Sequence, residues 1–512
     1  MRQLTSLDAQ FLALEDGRNL GHVSGVAIYD PSTAPDNVLD AARLRELVAQ
    51  RIHLLPPFRW RLVTVPFGLD HPYWVDDEHF DLGYHVREIA LPAPGDQAQL
   101  SEQVARIFAR PLDRARPLWE LYVIHGLEGG RVAVMTKIHH AAVDGLSGAE
   151  ILAVLLDLSP EGREVSAPQE SDRRPEEAPG ELEMLARGLG SVPFQPLRLL
   201  RNLPETIANL DSLPTLRHLP GAGVLAETTR IVGRLVSRQT EDGGVLEGGR
   251  LNAPRTRFQA AISPHRRIGY GTLSLVDVKV VKNAFGCTVN DVVMTMCASA
   301  MRSFLLEHGE LPDEPLVTMV PVSVRTPEQF GTFGNRISTM IVALPTDEPD
   351  PRRRLERMSQ TMASAKQRHK ALPATLLQDA NHVIPPALLA RAARVTSRIA
   401  VTRGLQAPLN LIISNVPGSP FPLYLAGAKL EAQYPMSAIL DGSGLNITLL
   451  SYCDRLDFGI VSDPAMLDDA FDIVERLRDA LDELKALAPP PAAKSKKNGS
   501  GGKKAARAAI KV

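Results

Sequence analysis

Two kinds of hydrophobic spacing alternate along the first 160 residues. Residues 131–136 are typical of a half-buried strand, and segments 121–124 and 132–138 predict a hairpin across the glycines between 126 and 130. Residues 40–51 instead have helical spacing, with Leu44, Leu47 and Val48 on one stripe. These patterns predict a mixed strand and helix region.

The second half of the chain repeats this mixture. Apolar runs predict strands over 271–280, 316–324, 337–344, 409–415 and 444–452. Longer amphipathic segments predict helices over 100–109 in the first half and over 291–306, 352–370 and 468–487 in the second. Trp119 is predicted to lie in the core. We therefore expect an α/β fold in both halves.

Composition shifts set the expected domain boundaries. Residues 1–158 form a predicted N-terminal domain and residues 251–488 a predicted C-terminal domain. Between them, 159–180 is rich in Pro, Glu, Ser and Arg, which predicts an exposed linker, and the prolines in 181–240 predict short crossover helices. Segment 489–512 opens with three prolines and contains seven Lys or Arg and no acidic residue, which predicts a disordered basic tail.

Charge and cysteine content exclude several classes of protein. A formal net charge of −2 gives no reason to expect nucleic-acid binding. The three scattered cysteines are too few for a disulfide framework or a zinc knuckle, and we expect no metal site. The N-terminus has no signal-peptide pattern, and no apolar run approaches the roughly 18 residues that a membrane span needs. Any membrane contact is therefore expected to be peripheral.

The chemistry is expected at residues 137–148, where a strand meets a turn and a helix. His139 and His140 end the strand, and Ser147 and Glu150 have the spacing of a capping box. Neighbouring side chains on a strand point to opposite faces, so at most one histidine should enter a given cleft. The alternatives to a functional role are that both histidines are ordinary core residues or that both are metal ligands. A neutral imidazole, with an ordinary pKa of ~6.5, is a ready proton acceptor.

The motif His139-His140-Ala141-Ala142-Val143-Asp144-Gly145 resembles the HHxxxDG motif of CoA-dependent acyltransferases and peptide-synthetase condensation domains. Other segments are similar to the bacterial wax ester synthase/diacylglycerol acyltransferase family, in family order over nearly the whole chain. These segments are 7–12, 57–62, 80–87, 116–120, 290–291, 321–325 and 414–418. Segment 20–25, Leu-Gly-His-Val-Ser-Gly, departs from the Pro-Met-His-Val-Gly of many relatives.

The resemblance implies roles for the motif residues. His140 would be the general base and His139 a supporting residue. Asp144 invites an interpretation as part of a catalytic triad, but relatives imply that it orients the motif loop by pairing with a distant arginine, for which Arg325 is one candidate. Gly145 would permit the turn of the backbone.

The resemblance also places substrate-binding residues in the second half. Asn290 and Asp291 would face the histidine from the second domain, although Asn290 could equally be a helix N-cap. Ser414 and Asn415 would shape the acceptor or CoA channel, or form a plain turn. The segment 457–459, Asp-Phe-Gly, would be structural.

The expected fold has two domains like chloramphenicol acetyltransferase, with mixed sheets flanked by helices and an active-site tunnel at their interface. No Gly-x-Ser-x-Gly elbow or activated cysteine is evident, which favours direct transfer by a histidine base over a covalent acyl-enzyme. The resemblance implies an acyl-CoA-dependent O-acyltransferase that makes triacylglycerol from diacylglycerol, or alternatively a wax ester synthase that uses fatty alcohols.

Two further hypotheses belong to other classes. A carrier-protein-dependent condensation enzyme would share the motif, and a lipid-droplet coat protein would explain amphipathic helices but not the paired histidines. The resemblance implies no cofactor, with acyl-CoA as a substrate and no nucleic-acid partner. The expected location is the cytoplasm, with peripheral association at the inner face of the cell membrane or at lipid droplets through segment 181–240 and the tail.

Overall fold

A computed structural model describes residues 2–66, 70–143, 151–167, 180, 253–323, 337–371 and 409–488. The described strands are β1 (Arg2–Gln3), β2 (His22–Asp30), β3 (Trp60–Val63), β4 (Tyr73–Asp76), β5 (Val86–Ala90), β6 (Trp119–His125), β7 (Val132–His139), β8 (Arg267–Ser274), β9 (Leu316–Ser323), β10 (Ile337–Leu344), β11 (Leu411–Val416), β12 (Tyr424–Leu425), β13 (Ala428–Met436), β14 (Leu445–Tyr452) and β15 (Arg455–Ser462). The described helices are α1 (Ser6–Leu14), α2 (Ala41–Arg51), α3 (Leu82–His85), α4 (Gln97–Phe108), α5 (Leu275–Phe285), α6 (Val289–Glu307), α7 (Pro351–Ala371) and α8 (Ala470–Ala486).

Two six-stranded mixed sheets dominate the fold. The first has the order β12-β13-β2-β7-β6-β5 and is antiparallel except between β5 and β6. The second has the order β10-β9-β11-β14-β15-β8, and β11 runs parallel to both of its neighbours. A small sheet of β1, β4 and β3 accompanies the first. The predicted hairpin is therefore confirmed as β6 and β7.

Helices cover both faces of the first sheet. On one face, Ile107 and Phe108 of α4 belong to the same buried cluster as Met135 of β7. On the other face, Leu44 of α2 and the helical segment 151–155 pack with Val134. Trp119 is 1 % exposed, as predicted. In the second half, α8 contacts β8 and β15, and α7 contacts β10.

Helix starts follow the local capping chemistry. The side chain of Asp40 accepts a hydrogen bond from the backbone N–H of Arg43 at the start of α2, as expected for an N-cap. The prediction of a strand over 271–280 is wrong beyond Ser274. Ser274 caps α5 by accepting from the N–H of Asp277, and the apolar side chains that follow have helical spacing, with Leu275, Val278 and Val281 buried.

One strand crosses between the two halves of the sequence. β13 lies after β11 in the chain, yet it pairs antiparallel with β2, from Lys429 opposite Asp30 to Met436 opposite Ser24. The boundary expected between the N-terminal and C-terminal domains is therefore not the boundary between the sheets. The expected crossover helices and the basic tail lie outside the described residues, as does most of the expected linker.

Asp457 and Gly459 of β15 hold this crossing strand. A carboxylate oxygen of Asp457 accepts from the backbone N–H of Gln433 at 2.8 Å and the other accepts from the Thr272 hydroxyl at 2.5 Å. Asp457 is fully buried, and that burial raises its pKa. A Cβ atom added to Gly459 would lie 1.8 Å from the Pro435 carbonyl oxygen. Asp457 therefore joins β15 to β8 and to the crossing strand β13, and Gly459 allows β13 to lie close to β15.

Candidate active site

The two histidines of the motif diverge at the end of β7. The backbone N–H of His139 donates to Leu118 O at 2.9 Å, and that of His140 donates to Gly21 O at 2.8 Å. The His139 side chain is buried, at 1 % exposure, whereas His140 is half-buried. The His140 ring stacks on Phe11 of α1, with centroids 4.6 Å apart and planes within 9°. The divergence predicted from strand geometry is therefore present.

The hydrogen bonds of His139 define its tautomer. Its Nδ1 accepts from the backbone N–H of Ala141 at 3.0 Å. Because a ring nitrogen that accepts carries no proton, neutral His139 has its proton on Nε2. That nitrogen lies 3.7 Å from Oε1 of Glu15, farther than an ordinary hydrogen bond. His139 is thus held in place and has no free acceptor nitrogen.

Glu15 is a buried carboxylate that the sequence analysis missed. Its Oε2 accepts from Arg114 Nη2 at 2.7 Å and from Nε at 3.1 Å, and its Oε1 accepts from the N–H of Gly21 at 3.2 Å. Burial alone would raise the pKa of Glu15, but the nearby His139 and Arg114 side chains lower it to about 2. The carboxylate is therefore ionised at neutral pH.

Polar groups also lie between β7 and α4 on the His139 face. His22 Nε2 is 2.7 Å from Phe108 O, and burial lowers the pKa of His22 well below its ordinary value. Lys137 Nζ donates to Ile107 O at 3.2 Å and also to Arg110 O. Burial lowers the Lys137 pKa to about 8, although Glu120 opposes this shift. Backbone carbonyls therefore lie within hydrogen-bonding distance of His22 Nε2 and Lys137 Nζ, whereas the buried His22 Nδ1 has no hydrogen-bond partner among the described residues.

An apolar pocket lies on the other face of the first sheet. It is a narrow, partly open cleft, since the roughly 370 Å³ between its lining atoms includes open solvent. It is lined by Gly25, Ala27, Tyr29, Leu44, Leu121, Val134, Thr136, Leu152, Leu155, Leu156, Leu425 and Gln433. Thr136 lies on β7, and His140 is the first residue after the strand, so continuation of the alternation by one residue places the two side chains on one face. Phe11, which stacks on His140, packs against the buried cluster on this same face.

Two of the four expected substrate-binding residues meet in the second half. Asn415 Nδ2 donates to Asn290 Oδ1 at 3.2 Å, which joins the end of β11 to the start of α6. Asn290 is not the N-cap of α6. That position is Thr288, whose hydroxyl accepts from the N–H of Asp291 at 3.2 Å.

Asp291 and Ser414 have structural partners. The Asp291 carboxylate accepts from the backbone N–H of Thr288 at 2.9 Å and from the Ser359 hydroxyl at 3.2 Å. It therefore completes a capping box at 4 % exposure. Ser414 lies opposite Thr448 in the parallel pair of β11 and β14.

Several expected features lie outside the described residues, among them Asp144, Gly145, the capping box of Ser147 and Glu150, and the candidate partner Arg325.

Within the described ranges, no cluster of three or more His, Cys, Asp or Glu side chains could hold a metal ion. Of the helices the structure describes, none passes alone as a membrane span by length and composition. α5 and α6 pass only as a pair bent by 104°.

Comparison with solved structures defines the class of fold. The first condensation domain of the calcium-dependent antibiotic synthetase matches with a TM-score of 0.53 at 18 % identity, covering 96 % of this chain and 97 % of that one. The wax ester synthase/diacylglycerol acyltransferase from Marinobacter aquaeolei VT8 matches with a TM-score of 0.66 at 29 % identity, covering 95 % of this chain and 100 % of that one. The expected fold class is confirmed.

Family models and relatives then identify the family. Residues 4–293 match the wax ester synthase/diacylglycerol acyltransferase catalytic domain, and residues 333–485 match the C-terminal domain of the same family. A Mycobacterium tuberculosis H37Rv protein bearing the name diacylglycerol O-acyltransferase is 36 % identical over 485 residues, 94 % of this chain and 90 % of its own length. A Mycobacterium bovis protein with that name is 33 % identical over 462 residues, 89 % of this chain and 92 % of its own. The chain belongs to the wax ester synthase/diacylglycerol acyltransferase family and is an acyltransferase.

Proposed function

We propose that this enzyme transfers a long-chain acyl group from acyl-CoA to the free hydroxyl of diacylglycerol, which yields triacylglycerol and CoA. The observation that carries the proposal is the position of His140, half-buried at the end of β7 on the face that also carries the apolar pocket. The names of the mycobacterial relatives favour diacylglycerol as acceptor.

In this mechanism His140 acts as general base. It takes the proton of the acceptor hydroxyl as the oxygen attacks the thioester carbonyl carbon. The tetrahedral intermediate collapses, the carbon–sulfur bond breaks, and the proton passes from the imidazolium to the CoA thiolate. A positioned base of this kind contributes about 10²–10⁴-fold. Asn290, paired with Asn415, is proposed to contact the acceptor or the oxyanion.

The apolar pocket is proposed to hold part of the acyl chain. Each buried methylene stabilises binding by about 0.8 kcal/mol, so a pocket of this lining favours long chains. Ala27→Leu should fill part of the pocket and lower kcat/KM for palmitoyl-CoA more than for octanoyl-CoA. Ala90→Leu, an exposed change on β5, is the matched control. Equal effects on both chain lengths would place the acyl chain elsewhere.

A competition assay tests the acceptor. Purified enzyme is given palmitoyl-CoA with diolein and hexadecanol together, and both products are quantified by mass spectrometry. Excess triacylglycerol supports the proposal, and excess wax ester favours the alternative, which the double name of the Marinobacter relative motivates. No transfer from CoA, but transfer from an acylated carrier protein, would favour a condensation-type enzyme.

We also propose that the enzyme needs no cofactor. Its place of work is proposed to be the cytoplasm, at the surface of the membrane or of lipid droplets, because diacylglycerol and the acyl chain are apolar. Flotation with anionic phosphatidylglycerol vesicles tests this placement. Binding at low salt that is partly released at high salt is expected, since basic residues contribute about 1 kcal/mol each near anionic lipid. Absence of binding at low salt would contradict it.

A further inference from the structure

Glu15 and Arg114 form a fixed pair beside the motif. The two hydrogen bonds from the Arg114 guanidinium reach one oxygen of the carboxylate, and Arg114 Nη2 also donates to Leu12 O at 2.6 Å. The Glu15 side chain is 6 % exposed, whereas that of Arg114 is 46 % exposed. The arginine thus anchors the end of α1, and the second carboxylate oxygen is free to face the motif.

That second oxygen lies beside His139 and is linked to His140 through the backbone of Gly21. It accepts from the N–H of Gly21, and Gly21 O accepts from the N–H of His140. It is also 3.7 Å from His139 Nε2, the nitrogen that carries the proton. A Cβ atom at Gly21 would lie 2.6 Å from the same nitrogen. Only a glycine allows the His139 ring, the carboxylate and the backbone of His140 to pack this closely.

We propose that Glu15 is a positioning residue for acyl transfer, because its carboxylate fixes the His139 tautomer and the backbone of His140. The negative oxygen favours a proton on Nε2 of His139. Nδ1 is then free to accept from Ala141, which holds the turn that follows His140. The inference rests on the proposed role of His140 as base.

The substitution Glu15→Gln isolates this role with little change of shape. A glutamine amide has one oxygen and one NH₂ group where the carboxylate has two acceptors. Arg114 presents two donors and should take the oxygen. The NH₂ group then faces the N–H of Gly21 and the Nε2–H of His139, so the Nδ1–H tautomer of His139 becomes favoured and the Ala141 hydrogen bond is lost.

The test combines spectroscopy with kinetics. In ¹⁵N-histidine-labelled protein at pH 7.5, long-range ¹H–¹⁵N correlations report which ring nitrogen is protonated, with His139→Gln used for assignment. Wild-type His139 should have its proton on Nε2, and Glu15→Gln should move it to Nδ1. We expect kcat to fall about 10- to 100-fold, the effect of displacing a reacting group by about 1 Å, while KM for palmitoyl-CoA stays within about twofold of wild type.

Glu431→Gln is the matched control. Glu431 also pairs with an arginine, accepting from Nε and Nη2 of Arg131 through its two different oxygens, and Arg131 precedes β7 at its opposite end. This change should leave both the His139 signals and kcat at wild-type values. Glu15→Asp keeps a charged acceptor and should retain the Nε2–H tautomer with a smaller loss of kcat.

Three results would overturn the proposal. They are a wild-type His139 protonated on Nδ1, His139 signals that do not change in Glu15→Gln, and a changed tautomer with wild-type kcat. The first needs only the wild-type protein, so it decides even if Glu15→Gln does not fold. The spectra require no turnover, so they also test Glu15 independently of the acceptor and of His140 as base.

Discussion

His139 and His140 are adjacent in the chain but have different surroundings. His139 is buried, accepts from Ala141 through Nδ1 and faces the Glu15 carboxylate through Nε2. His140 is half-buried and stacked on Phe11. Stacking on the Phe11 ring fixes the plane of the His140 imidazole and therefore limits the directions in which its two nitrogens can point. The two residues should therefore respond differently to substitution.

His140→Ala should lower kcat by about 10²–10⁴-fold, the usual effect of removing a positioned base. His139→Ala should lower it less, because His139 supports the turn without reaching the reacting atoms. The control is His125→Ala, since His125 is a half-buried histidine of β6 that pairs with Glu88 of β5. Steady-state rates on folded variants measure the order, and a larger loss for His139→Ala would reverse our assignment.

The low pKa of Glu15 predicts that the free energy of unfolding depends on pH. This pKa is about 2 in the folded protein, against an ordinary value of 4.5, so the unfolded chain binds more protons between these values. The contribution is complete above pH 4.5, amounts to about 3 kcal/mol at most, and is lost as the pH falls towards 2. The difference in unfolding free energy between wild type and Glu15→Gln should therefore shrink between pH 5 and pH 3 in urea titrations. A constant difference would contradict the low pKa.

At the scale of secondary-structure elements, the crossing of β13 onto the first sheet is the critical connection. It places a strand from the second half beside β2, and it is held to β15 by Asp457 and by the close contact of Gly459 with Pro435. Gln433 of the same strand also lines the apolar pocket. Disturbing the crossing should therefore affect stability and acyl-chain binding together.

Gly459→Ala tests the crossing. A Cβ atom 1.8 Å from Pro435 O requires backbone movement in two strands, so we expect a loss of several kcal/mol, at the upper end of what single substitutions produce. Gly17→Ala is the control, because a Cβ atom there has no neighbour within 4 Å. Thermal unfolding measures both. A melting temperature of Gly459→Ala equal to that of Gly17→Ala would show that β13 and β15 separate readily.

Hydrophobic periodicity predicted the elements with one clear period, such as β10 (Ile337–Leu344) and α2 (Ala41–Arg51). It failed at 271–280, where β-branched residues continue from a strand into a helix and only the cap at Ser274 marks the change. The His-His-x-x-x-Asp-Gly motif located both histidines, but no sequence pattern pointed to Glu15 or Arg114. These two lie 99 positions apart in the sequence and meet only through folding, although Glu15 closely follows the family-like segment 7–12.

At the scale of the whole molecule, the two halves form one packed body. The Ser101 hydroxyl of α4 donates to Ile268 O at 2.5 Å and Gln97 Nε2 donates to Tyr270 O at 3.0 Å, which ties α4 to β8. One buried cluster contains Phe108 of the first half and Phe458 of the second. Both halves of the sequence therefore contribute side chains to one core.

A sequential kinetic mechanism is expected if His140 acts as the base, because burial raises the pKa of all three cysteine thiols and so disfavours a thiolate nucleophile. Ser147 and Cys287 are the residues to test first for a covalent intermediate. Ser147 lies outside the described residues, and burial together with the nearby Asp291 carboxylate raises the pKa of Cys287, which keeps the thiol protonated. Direct transfer requires acyl-CoA and acceptor to be bound together, with hydroxyl and thioester carbonyl about 3–3.5 Å apart. Initial rates with both substrates varied should therefore give intersecting double-reciprocal lines. Parallel lines, with an acyl-protein adduct trapped when acceptor is withheld, would instead require a covalent intermediate.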